Sequence, residues 1–489
     1  MASWMRSWRA YRMNNAYPEY QSVNQKWAKE IPSHWRMERL KLVFGLRKET
    51  NNPVITDNIL SLTAKQGVIP YAEKEGAGGN KPKADLTKYN ICREGDLLVN
   101  NMNVVSGAAG VSRYTGCVSP VYYPLVLRHE DNVWYYHYIF RLVTFQRSLI
   151  GLGKGILMHE SDNGTLTSVR MRISMDYLGN VLLPVPPRAE QDQIVRFLDW
   201  KVSEINKLIG IRRKEIQEFN QLKNTVITKT VTTGLKREEM CGTDNSYYRM
   251  IPKGWRITKT LRVLSQPLTD GPHTTPQLYE EGIPFVSAEA VSCGNGKIDF
   301  NHIRGFISQD FYEECCKKYV PKIDDIYMIK SGATTGRVSI VDTDRIFTIW
   351  SPLAVFRCNQ EVMLPRFLFY ALQALPYQQQ VQDGWSYGTQ QNIGMRVLEQ
   401  LKLAYPDVTE QEKIACYLDD KCDMLDKAIQ LTESKIKALQ ELKSTIISDA
   451  VTGKIDVRNV TVPEYEHVDD VVDDDSENNE ETETDGEEA

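Results

Sequence analysis

The sequence lacks the features that mark membrane, secreted and zinc-binding proteins. No run approaches the roughly 20 consecutive apolar residues of a transmembrane helix. Residues 1–12 are rich in tryptophan and arginine but contain no apolar segment, which argues against a secretory signal. The nine cysteines show no CxxC spacing, and Cys315 and Cys316 are adjacent, which suits neither zinc nor a disulfide framework. We therefore expect a protein of the reducing cytoplasm.

Signatures of catalysis are also missing. The glycine-rich run at residues 151–155 does not follow the order GxxxxGK[ST], so it is not a nucleotide-binding P-loop. Seven scattered histidines predict no metal cluster. A D-x-K pattern, as in nucleases, occurs at residues 199–201 and 419–421, but its place on amphipathic helices favours a solvated charged face. The sequence thus predicts that the chain is not an enzyme.

Positive charge is absent from the C-terminal end. Residues 464–489 contain 14 of the 64 acidic residues and neither Lys nor Arg. The remaining chain has 59 basic and 50 acidic residues, although the net charge of the whole chain is −5. A basic body suggests a nucleic-acid partner. Because the acidic end has almost nothing to bury, we predict that it is disordered.

One long stretch is present twice, at an offset of 220 residues. Residues 190–233 and 410–453 align without a gap, and 15 of their 44 positions are identical. Apolar residues follow a heptad spacing, as Val202, Ile205 and Ile209 do in the first copy. No proline interrupts either stretch. This pattern predicts two long amphipathic helices of common design and an internal two-fold repeat.

A body precedes each long helix. The sequence IPSHWR at residues 31–36 returns as IPKGWR at residues 251–256, again 220 positions later. Each body combines short β-rich runs, broken by Gly, Asn and Asp turns, with a predicted helix at residues 134–149 or 364–382. The predicted fold class is therefore α+β. The two bodies share little sequence between their edges, which suggests related tasks with different specificities.

These boundaries divide the chain into seven predicted segments. They are an N-terminal arm (1–30), the first body (31–187), the first helix (188–234), a linker (235–250), the second body (251–406), the second helix (407–458) and an acidic tail (459–489).

The start of each helix resembles a known family. Residues 186–199 and 406–419 both carry the pattern P…EQ…I…LD, which resembles the start of the helical regions in specificity subunits of type I restriction–modification systems. Other resembling segments are EGDLL at 94–98, DGPHTTP at 270–276, SGATTG at 331–336 and QQNI at 390–393. The resemblance extends over about residues 14–458, and the duplicated arrangement is more specific than any single motif.

This resemblance implies an architecture and a set of partners. The two bodies would be target recognition domains, each reading half of a split sequence in double-stranded DNA. The two helices would pair as an antiparallel coiled coil and act as a spacer. Each repeat would dock one modification (methyltransferase) subunit, and restriction (translocase and nuclease) subunits would complete the complex. S-adenosylmethionine, ATP and Mg would be bound by those partners, and no cofactor by this chain.

The candidate DNA-binding residues are cationic or carry amide and hydroxyl groups, which suit phosphates and base edges. The first body departs from the family pattern, because it has no DGxHxTP segment and carries RMRI at 170–173 where the second body has QQNI. Ordinary turn chemistry is the alternative for these residues, and a structured turn satisfied by its neighbours is the alternative for His273. The candidates are Asn101, Asn103, Lys154, Arg170 and Arg172 in the first body, and His273, Thr274, Lys330, Ser331, Arg337, Gln390, Gln391 and Asn392 in the second.

Two other functional classes compete with DNA recognition. A self-sufficient adenine methyltransferase should resemble its family at an (N/D)PP(Y/F) motif, but Pro186-Pro187 follows Val185 and precedes Arg188. A coiled-coil adaptor without intrinsic DNA specificity would also need two long helices. Salt-dependent binding of DNA with a bipartite consensus would distinguish a reader from an adaptor.

Overall fold

The computed structural model describes residues 2–63, 67–74, 82–157, 169–236, 239–387 and 391–469. The chain divides into two compact units: unit 1 contains Met1–Lys214 and Thr432–Ala489, and unit 2 contains Glu215–Leu431. Both units combine helices with antiparallel sheets, which confirms the α+β class. Within the described ranges, no helix is both long and apolar enough to cross a membrane.

The described part of unit 1 contains fourteen strands and short helices that precede a long one. The helices are α1 (Ala2–Asn14), α2 (Leu40–Val43), α3 (Val133–Phe140), α4 (Val143–Ser148), α5 (Met175–Leu178) and the first part of α6 (Arg188–Thr233). The strands are β1 (Tyr20–Ser22), β2 (Glu30–Pro32), β3 (Arg36–Arg39), β4 (Phe44–Leu46), β5 (Leu60–Thr63), β6 (Gly67–Pro70), β7 (Asn90–Cys92), β8 (Leu97–Asn100), β9 (Ala109–Val111), β10 (Gly116–Val118), β11 (Tyr122–Leu127), β12 (Lys154–Leu157), β13 (Val169–Arg172) and β14 (Leu182–Val185).

The described part of unit 2 has a similar succession of elements. Its helices are α7 (Ala288–Cys293), α8 (Gln309–Cys316), α9 (Pro365–Gln373), α10 (Leu375–Asp383), α11 (Met395–Gln400) and the first part of α12 (Val408–Val451). Its strands are β15 (Met240–Gly242), β16 (Met250–Pro252), β17 (Arg256–Lys259), β18 (Thr269–Asp270), β19 (Ile283–Val286), β20 (Phe306–Ile307), β21 (Ile326–Ile329), β22 (Val338–Ile340), β23 (Thr348–Ile349), β24 (Leu353–Phe356), β25 (Ser386–Tyr387), β26 (Gln391–Asn392) and β27 (Lys402–Tyr405).

Each unit contains a four-stranded antiparallel sheet whose third strand is buried on both faces. The strand order is β4-β11-β8-β9 in unit 1 and β18-β24-β21-β22 in unit 2. In β21, Ile326 and Met328 lie in one apolar cluster and Tyr327 and Ile329 in another. Because successive side chains of a strand point to opposite faces, a strand covered on both sides needs a continuous apolar run. The third strand is therefore the rigid centre of each body.

A buried aspartate marks the entry to each central strand. Asp96 accepts two hydrogen bonds of 2.7 Å from the guanidinium of Arg47. Asp325 accepts hydrogen bonds of 2.7 and 2.6 Å from Arg357. Such forked pairs are among the stronger charge-assisted contacts, and they stabilise the start of the strand against the sheet.

Two small β-ribbons repeat with the same register. Arg36 pairs with Val185 between β3 and β14, and Arg256 pairs with Tyr405 between β17 and β27. Every partner in the second ribbon is displaced by 220 positions from its counterpart in the first. The same holds for β1–β2 and β15–β16. These ribbons are the elements in which the sequence segments IPSHWR and IPKGWR lie.

A buried glutamine anchors the first turn of each long helix. Gln191 accepts a 2.7 Å hydrogen bond from the backbone N–H of Asn132 and donates one of 3.0 Å to the carbonyl of Pro186. Gln411 accepts a 2.9 Å bond from the N–H of Leu364 and donates one of 3.0 Å to the carbonyl of Pro406. The glutamine of the EQ pair therefore joins each long helix to the start of a helix in the preceding body, α3 or α9.

The D-x-K patterns do not form the solvated charged face that the sequence predicts. Asp199 is half-buried and accepts a 2.7 Å hydrogen bond from the hydroxyl of Tyr138. Asp419 likewise accepts a 2.8 Å bond from Tyr370 and also pairs with Arg366. The prediction of a solvated face was wrong for both aspartates, because each helix packs its charged side against a tyrosine of the body.

Each unit contains the beginning of one long helix and the end of the other. In unit 1, Ile205 and Ile209 of α6 share a core with Leu439 and Ile446 of α12. In unit 2, the later part of α6 and the early part of α12 share a core that includes Ile227, Val231, Ile414 and Leu418. Lys223 and Asp426 form an ion pair of 2.7 Å there.

Glycines end both long helices in the left-handed region, where the ends meet the IPxxW segments. Gly453 has φ +70°, and a Cβ there would lie 2.2 Å from Cδ of Pro32. Gly234 also has φ +70°, and a Cβ there would lie 3.5 Å from the Trp255 ring. A glycine stops a helix at such a position without the steric penalty that a side chain would add.

Three local predictions differ from the structure. The N-terminal arm is largely the helix α1, in which the Trp8 indole donates a 2.9 Å hydrogen bond to Asp449. The helices predicted at 134–149 and 364–382 are each divided, by extended backbone at Leu142 and at Ala374. The second division has a local cause, since Pro376 cannot continue a helix but fits the first turn of a new one.

The segment before the acidic end lies along α6. Gln193 donates hydrogen bonds to the carbonyls of Val457 and Val460, at 3.0 and 2.7 Å. Asn206 donates a 3.0 Å bond to the carbonyl of Val468, and Lys207 pairs with Glu466 at 3.0 Å. Of the tail predicted to be disordered, residues 470–489 lie outside the described residues.

Gln411→Ala should destabilise the chain by about 1–3 kcal/mol, because it leaves the buried N–H of Leu364 and the buried carbonyl of Pro406 without a partner. Thermal and urea unfolding of the full chain would measure the change. The matched control is Gln430→Ala, an exposed glutamine of the same helix, which should change stability by no more than about 0.5 kcal/mol. Equal effects of the two substitutions would contradict the anchoring role.

Candidate nucleic-acid interface

The loop that follows β21 brings three motifs of unit 2 together. Lys330 donates its backbone N–H to the carbonyl of Pro352 at 2.8 Å and accepts a 2.9 Å hydrogen bond from the N–H of Ile393. The N–H of Gly332 donates to the carbonyl of Gln391 at 3.0 Å. Residues 330–332 therefore lie beside β26, so the SGATTG and QQNI segments share one edge of the sheet. Gly332, with φ +104°, adopts a backbone conformation that favours glycine.

A buried carboxylate links this loop to the DGPH turn. Asp270, the last residue of β18, pairs with Lys330 and with His273, each at 3.3 Å. Lys318, which follows α8, also pairs with Asp270 and donates a 3.3 Å hydrogen bond to the carbonyl of Gly271. Two lysines and a histidine thus surround one carboxylate. The contact with Asp270 agrees with the alternative that His273 belongs to a structured turn. Its ring nevertheless remains exposed.

A very close backbone approach gives the DGPH turn its shape. A Cβ on Gly271 would lie 1.9 Å from the carbonyl oxygen of Ile349, so only glycine fits at this position. The neighbouring Thr274 is exposed. The turn therefore presents its polar residues to solvent at a fixed place on the sheet.

The amide candidates of unit 2 lie on a short hairpin. Tyr387 of β25 pairs with Gln391 of β26, and Ser386 pairs with Asn392. Both Gln391 and Asn392 are exposed, while Gln390 lies outside the described residues. Ser331 is half-buried and forms a β-bridge with Asn392. The exposed amides are therefore held by backbone contacts next to Lys330.

Arg337 lies apart from this group. Its guanidinium donates a 3.2 Å hydrogen bond to the carbonyl of Ser292 in α7. Its side chain is exposed, so it retains donors for another partner. The backbone of Arg337 still belongs to the loop, because its N–H donates to the carbonyl of Thr334 at 3.2 Å, and only the side chain contacts another element.

Two of these three backbone contacts recur at the loop after β8 in unit 1, and in the third the hairpin donates to the loop instead of accepting from it. Asn101 donates its N–H to the carbonyl of Val121 at 3.0 Å and accepts a 2.9 Å bond from the N–H of Ile173. The N–H of Met171 donates to the carbonyl of Met102 at 3.3 Å. Asn101 therefore occupies in unit 1 the position that Lys330 occupies in unit 2, and Ile173 corresponds to Ile393.

The side chains at these equivalent positions differ. Asn101 is 1% exposed, and its Oδ1 has no hydrogen-bond partner among the described residues. Asn103 accepts backbone hydrogen bonds from Ser106 and Ala108, at 3.0 and 3.2 Å, so its place in the turn is structural. The prediction that Asn101 contacts DNA directly fits poorly with its burial.

The remaining candidates of unit 1 lie on the hairpin of β12 and β13. Lys154 pairs with Arg172, and Ile156 pairs with Arg170. The side chains of Lys154 and Arg170 lie outside the described residues, whereas that of Arg172 is exposed. Arg172 is the counterpart of Asn392, because each directly precedes the isoleucine that binds the central loop.

Sequence reasoning missed two members of the group in unit 2. Asp270 belongs to a recognised motif but was not predicted to organise the cations. Lys318 belongs to no motif, and only a contact with a residue far away in the chain reveals it. The assembled group offers cationic donors, exposed amides and a glycine-containing loop, which together suit phosphates and base edges. No group of acidic, histidine and cysteine residues within the described ranges has the arrangement of a metal site.

Comparisons with known proteins agree with this chemistry. The family model described as the type I restriction modification DNA specificity domain matches residues 277–441. The MjaX type I restriction enzyme specificity subunit of Methanocaldococcus jannaschii is 24% identical over 441 residues, which cover 88% of this chain and 95% of that protein. The MjaVIII specificity subunit of the same organism is 24% identical over 285 residues, which cover 58% of this chain and 64% of that protein.

A solved structure shows a similar fold. It concerns complex assembly and conformational transition of the type I R-M system, and it has a TM-score of 0.59 at 15% identity, covering 87% of this chain and 99% of that chain. The family match, the relatives and the fold lead to the same assignment. By the family match and the relatives, the chain is similar to the specificity subunits of type I restriction–modification systems, which are non-catalytic DNA-recognition subunits.

Proposed function

We propose that this chain reads an asymmetric, bipartite sequence in double-stranded DNA and directs partner subunits to methylate adenine or cleave there. One observation carries the proposal. The same backbone frame, a loop after the central strand held against a hairpin, occurs in both units with different exposed side chains. A similar backbone with different exposed side chains in the two units would allow each unit to bind a different half-site. Arg172 is suited to guanine edges, and Gln391 and Asn392 are suited to adenine edges.

The two long helices would form the spacer between the half-sites. We propose an internal two-fold repeat in which α6 and α12 pair as an antiparallel coiled coil. The equal registers of the β-ribbons support the repeat. The cores that the two helices share within each unit support the pairing. Helix length would then set the distance between the two reading loops.

The partners would be two modification subunits, one for each repeat, together with restriction subunits. S-adenosylmethionine, ATP and Mg would be bound by these partners, and the complex would act in the cytoplasm. The matching relatives are specificity subunits of restriction enzymes, and a solved structure of similar fold concerns assembly of such a complex. Mapping of methylated adenines in cells that contain the whole complex would test the proposal and identify the sequence that is read.

A coiled-coil adaptor without DNA specificity is the alternative. It would explain the long helices but not the exposed amides that the two loops hold in place. Selection from a random duplex library, with the modification subunits present, separates the two functions. A reader yields a bipartite consensus and salt-dependent affinity, whereas an adaptor yields neither.

Asn392→Ala and Arg172→Ala should each change a different half-site. Loss of one good contact to a base edge should reduce discrimination by about 1–3 kcal/mol at the affected position and leave the other half-site unchanged. Library selection with the assembled complex would measure both half-sites in one experiment.

The matched control for Asn392→Ala is Gln400→Ala, an exposed amide of unit 2 at the end of α11. This substitution should leave both half-sites as they are. If Asn392→Ala and Arg172→Ala altered the same half-site, the assignment of one half-site to each unit would be wrong.

Lengthening both helices should lengthen the unspecified gap. Insertion of seven helical residues between Lys214 and Glu215, and of seven between Leu431 and Thr432, adds two turns and keeps each apolar face in register. The added rise of about 10 Å corresponds to up to about three base pairs, at roughly 3.4 Å per base pair. Mapping of methylated adenines would measure the gap.

The control places the same seven residues after Lys236, beyond the end of α6. Its gap should equal that of the unaltered chain, because the paired helices keep their length. An active double insertion with an unchanged gap would show that the helices do not set the spacing.

A further inference from the structure

The charge balance around Asp270 is unusual for a structural ion pair. The carboxylate is only 3% exposed, while Lys330, Lys318 and His273 are 14%, 48% and 73% exposed. One buried acid needs only one cationic partner to offset the cost of its burial. Here it holds two lysines and a histidine, so the group keeps a net positive charge.

The exposed cations retain donors that the protein does not use. An ammonium group has three N–H donors. Lys318 directs two of them to Asp270 and to the carbonyl of Gly271, which leaves one for an external acceptor. The His273 ring contacts Asp270 through Nε2 and is otherwise open to solvent. All three side chains contact the same carboxylate, so their remaining polar atoms lie close together near the surface.

The surrounding backbone holds the group in position. Asp270 is paired with Ala354 in the sheet, and the same Ala354 pairs with Met328 on the central strand. Gly271 lies against the backbone of Ile349 and admits no side chain. Lys330 is bound through both its backbone N–H and its carbonyl. The cations therefore project from positions that are already ordered before a ligand arrives.

We propose that Lys318, Lys330 and His273 form a clamp for one backbone phosphate of DNA, and that Asp270 is the positioning residue that orders the three cations. This inference rests on the proposed function and deepens it. The clamp lies beside the hairpin that carries Gln391 and Asn392, because Lys330 contacts both Asp270 and Ile393, the residue that follows β26. It would fix the register of the duplex while the amides read base edges, since phosphate contacts orient a protein on DNA without specifying sequence.

Unit 1 lacks this clamp. Arg47 donates its N–H to Pro124 at 2.9 Å, which places Lys48 at the position in the sheet that Asp270 occupies in unit 2. Asn101 occupies the position of Lys330. A lysine and a buried amide replace the acid and its cation, so the ordering carboxylate is specific to unit 2.

The test compares three variants in the assembled complex with its modification subunits. Asp270→Asn removes the ordering charge, Lys318→Gln removes one phosphate donor, and Asp342→Asn removes an exposed acid that pairs with Lys297 at 2.8 Å. Affinity is measured for a duplex with the recognised site and for one without it, over a range of salt concentrations. Thermal unfolding of each variant is measured in parallel.

We expect Asp270→Asn to lower affinity for the specific duplex about tenfold or more while affinity for the other duplex stays equal or rises. A general electrostatic effect has the opposite sign, since loss of an acid strengthens binding to a polyanion. Lys318→Gln should weaken binding to the specific duplex and reduce the slope of log K against log salt by about 0.9, the value for one phosphate. Asp342→Asn should leave specific binding unchanged or slightly stronger.

Two results would overturn the clamp. One is an Asp270→Asn variant that binds both duplexes more tightly, as the Asp342→Asn control would. The other is a Lys318→Gln variant with an unchanged salt slope. If Asp270→Asn unfolds, the test uses Lys318→Gln and His273→Gln, which are both at exposed positions. The quantity compared is again the slope of log K against log salt. A complex of the unaltered chain that shows no site preference refutes the proposed function, whereas a site preference that all variants retain refutes only the clamp.

Discussion

The structure depends on the packing of the ends of α6 and α12 against the core of each body. A long amphipathic helix has no core of its own and is stable only where another element covers its apolar stripe. In unit 1 the start of α6 and the end of α12 supply that cover, and Ile194 and Val451 lie in the same core as the body. In unit 2 the roles of the helices are exchanged. Each body therefore requires both halves of the chain, which explains why the repeat consists of a body and a helix.

The residues at these junctions account for the most conspicuous sequence pattern. Gln191 and Gln411 join helix to body through hydrogen bonds to buried backbone groups. Asp199 and Asp419, about two turns further along each helix, extend the contact through tyrosine hydroxyls. Burial raises the pKa of Asp199 above its ordinary value, although the Tyr138 hydroxyl opposes that shift. The pattern P…EQ…I…LD thus attaches each long helix to its body.

The loops after the two central strands combine a similar backbone with different side chains. Backbone hydrogen bonds hold the loop after the central strand in both units, and such bonds do not depend on side-chain identity. Side chains on that frame are free to differ, so Lys330 and Asn101 occupy equivalent positions with different chemistry. Exposed side chains on this frame, such as Arg172 and Asn392, can differ without loss of the fold, because they contribute little to the core.

Local sequence determined much of the architecture. The heptad spacing and the absence of proline were sufficient to predict both long helices, and the β-rich runs of the bodies were sufficient to predict the α+β class. Amide and cationic residues near glycine turns also marked most members of the candidate interface. These features depend on residues close together in the chain, where periodicity and turn chemistry act.

Only the tertiary structure decided which of those residues meet. Lys318 joins Asp270 across α7, α8 and two strands, Asn101 is buried, and Trp8 bonds to Asp449 from the opposite end of the chain. The predicted helix is also divided at Leu142, where no proline or glycine in the sequence indicates a break. Such contacts arise when apolar clusters from distant segments pack against each other, and the resulting burial and pairing are properties of the assembled core. The sequence by itself determined the two long helices and the kinds of side chain available, and the packing of the core decided their partners.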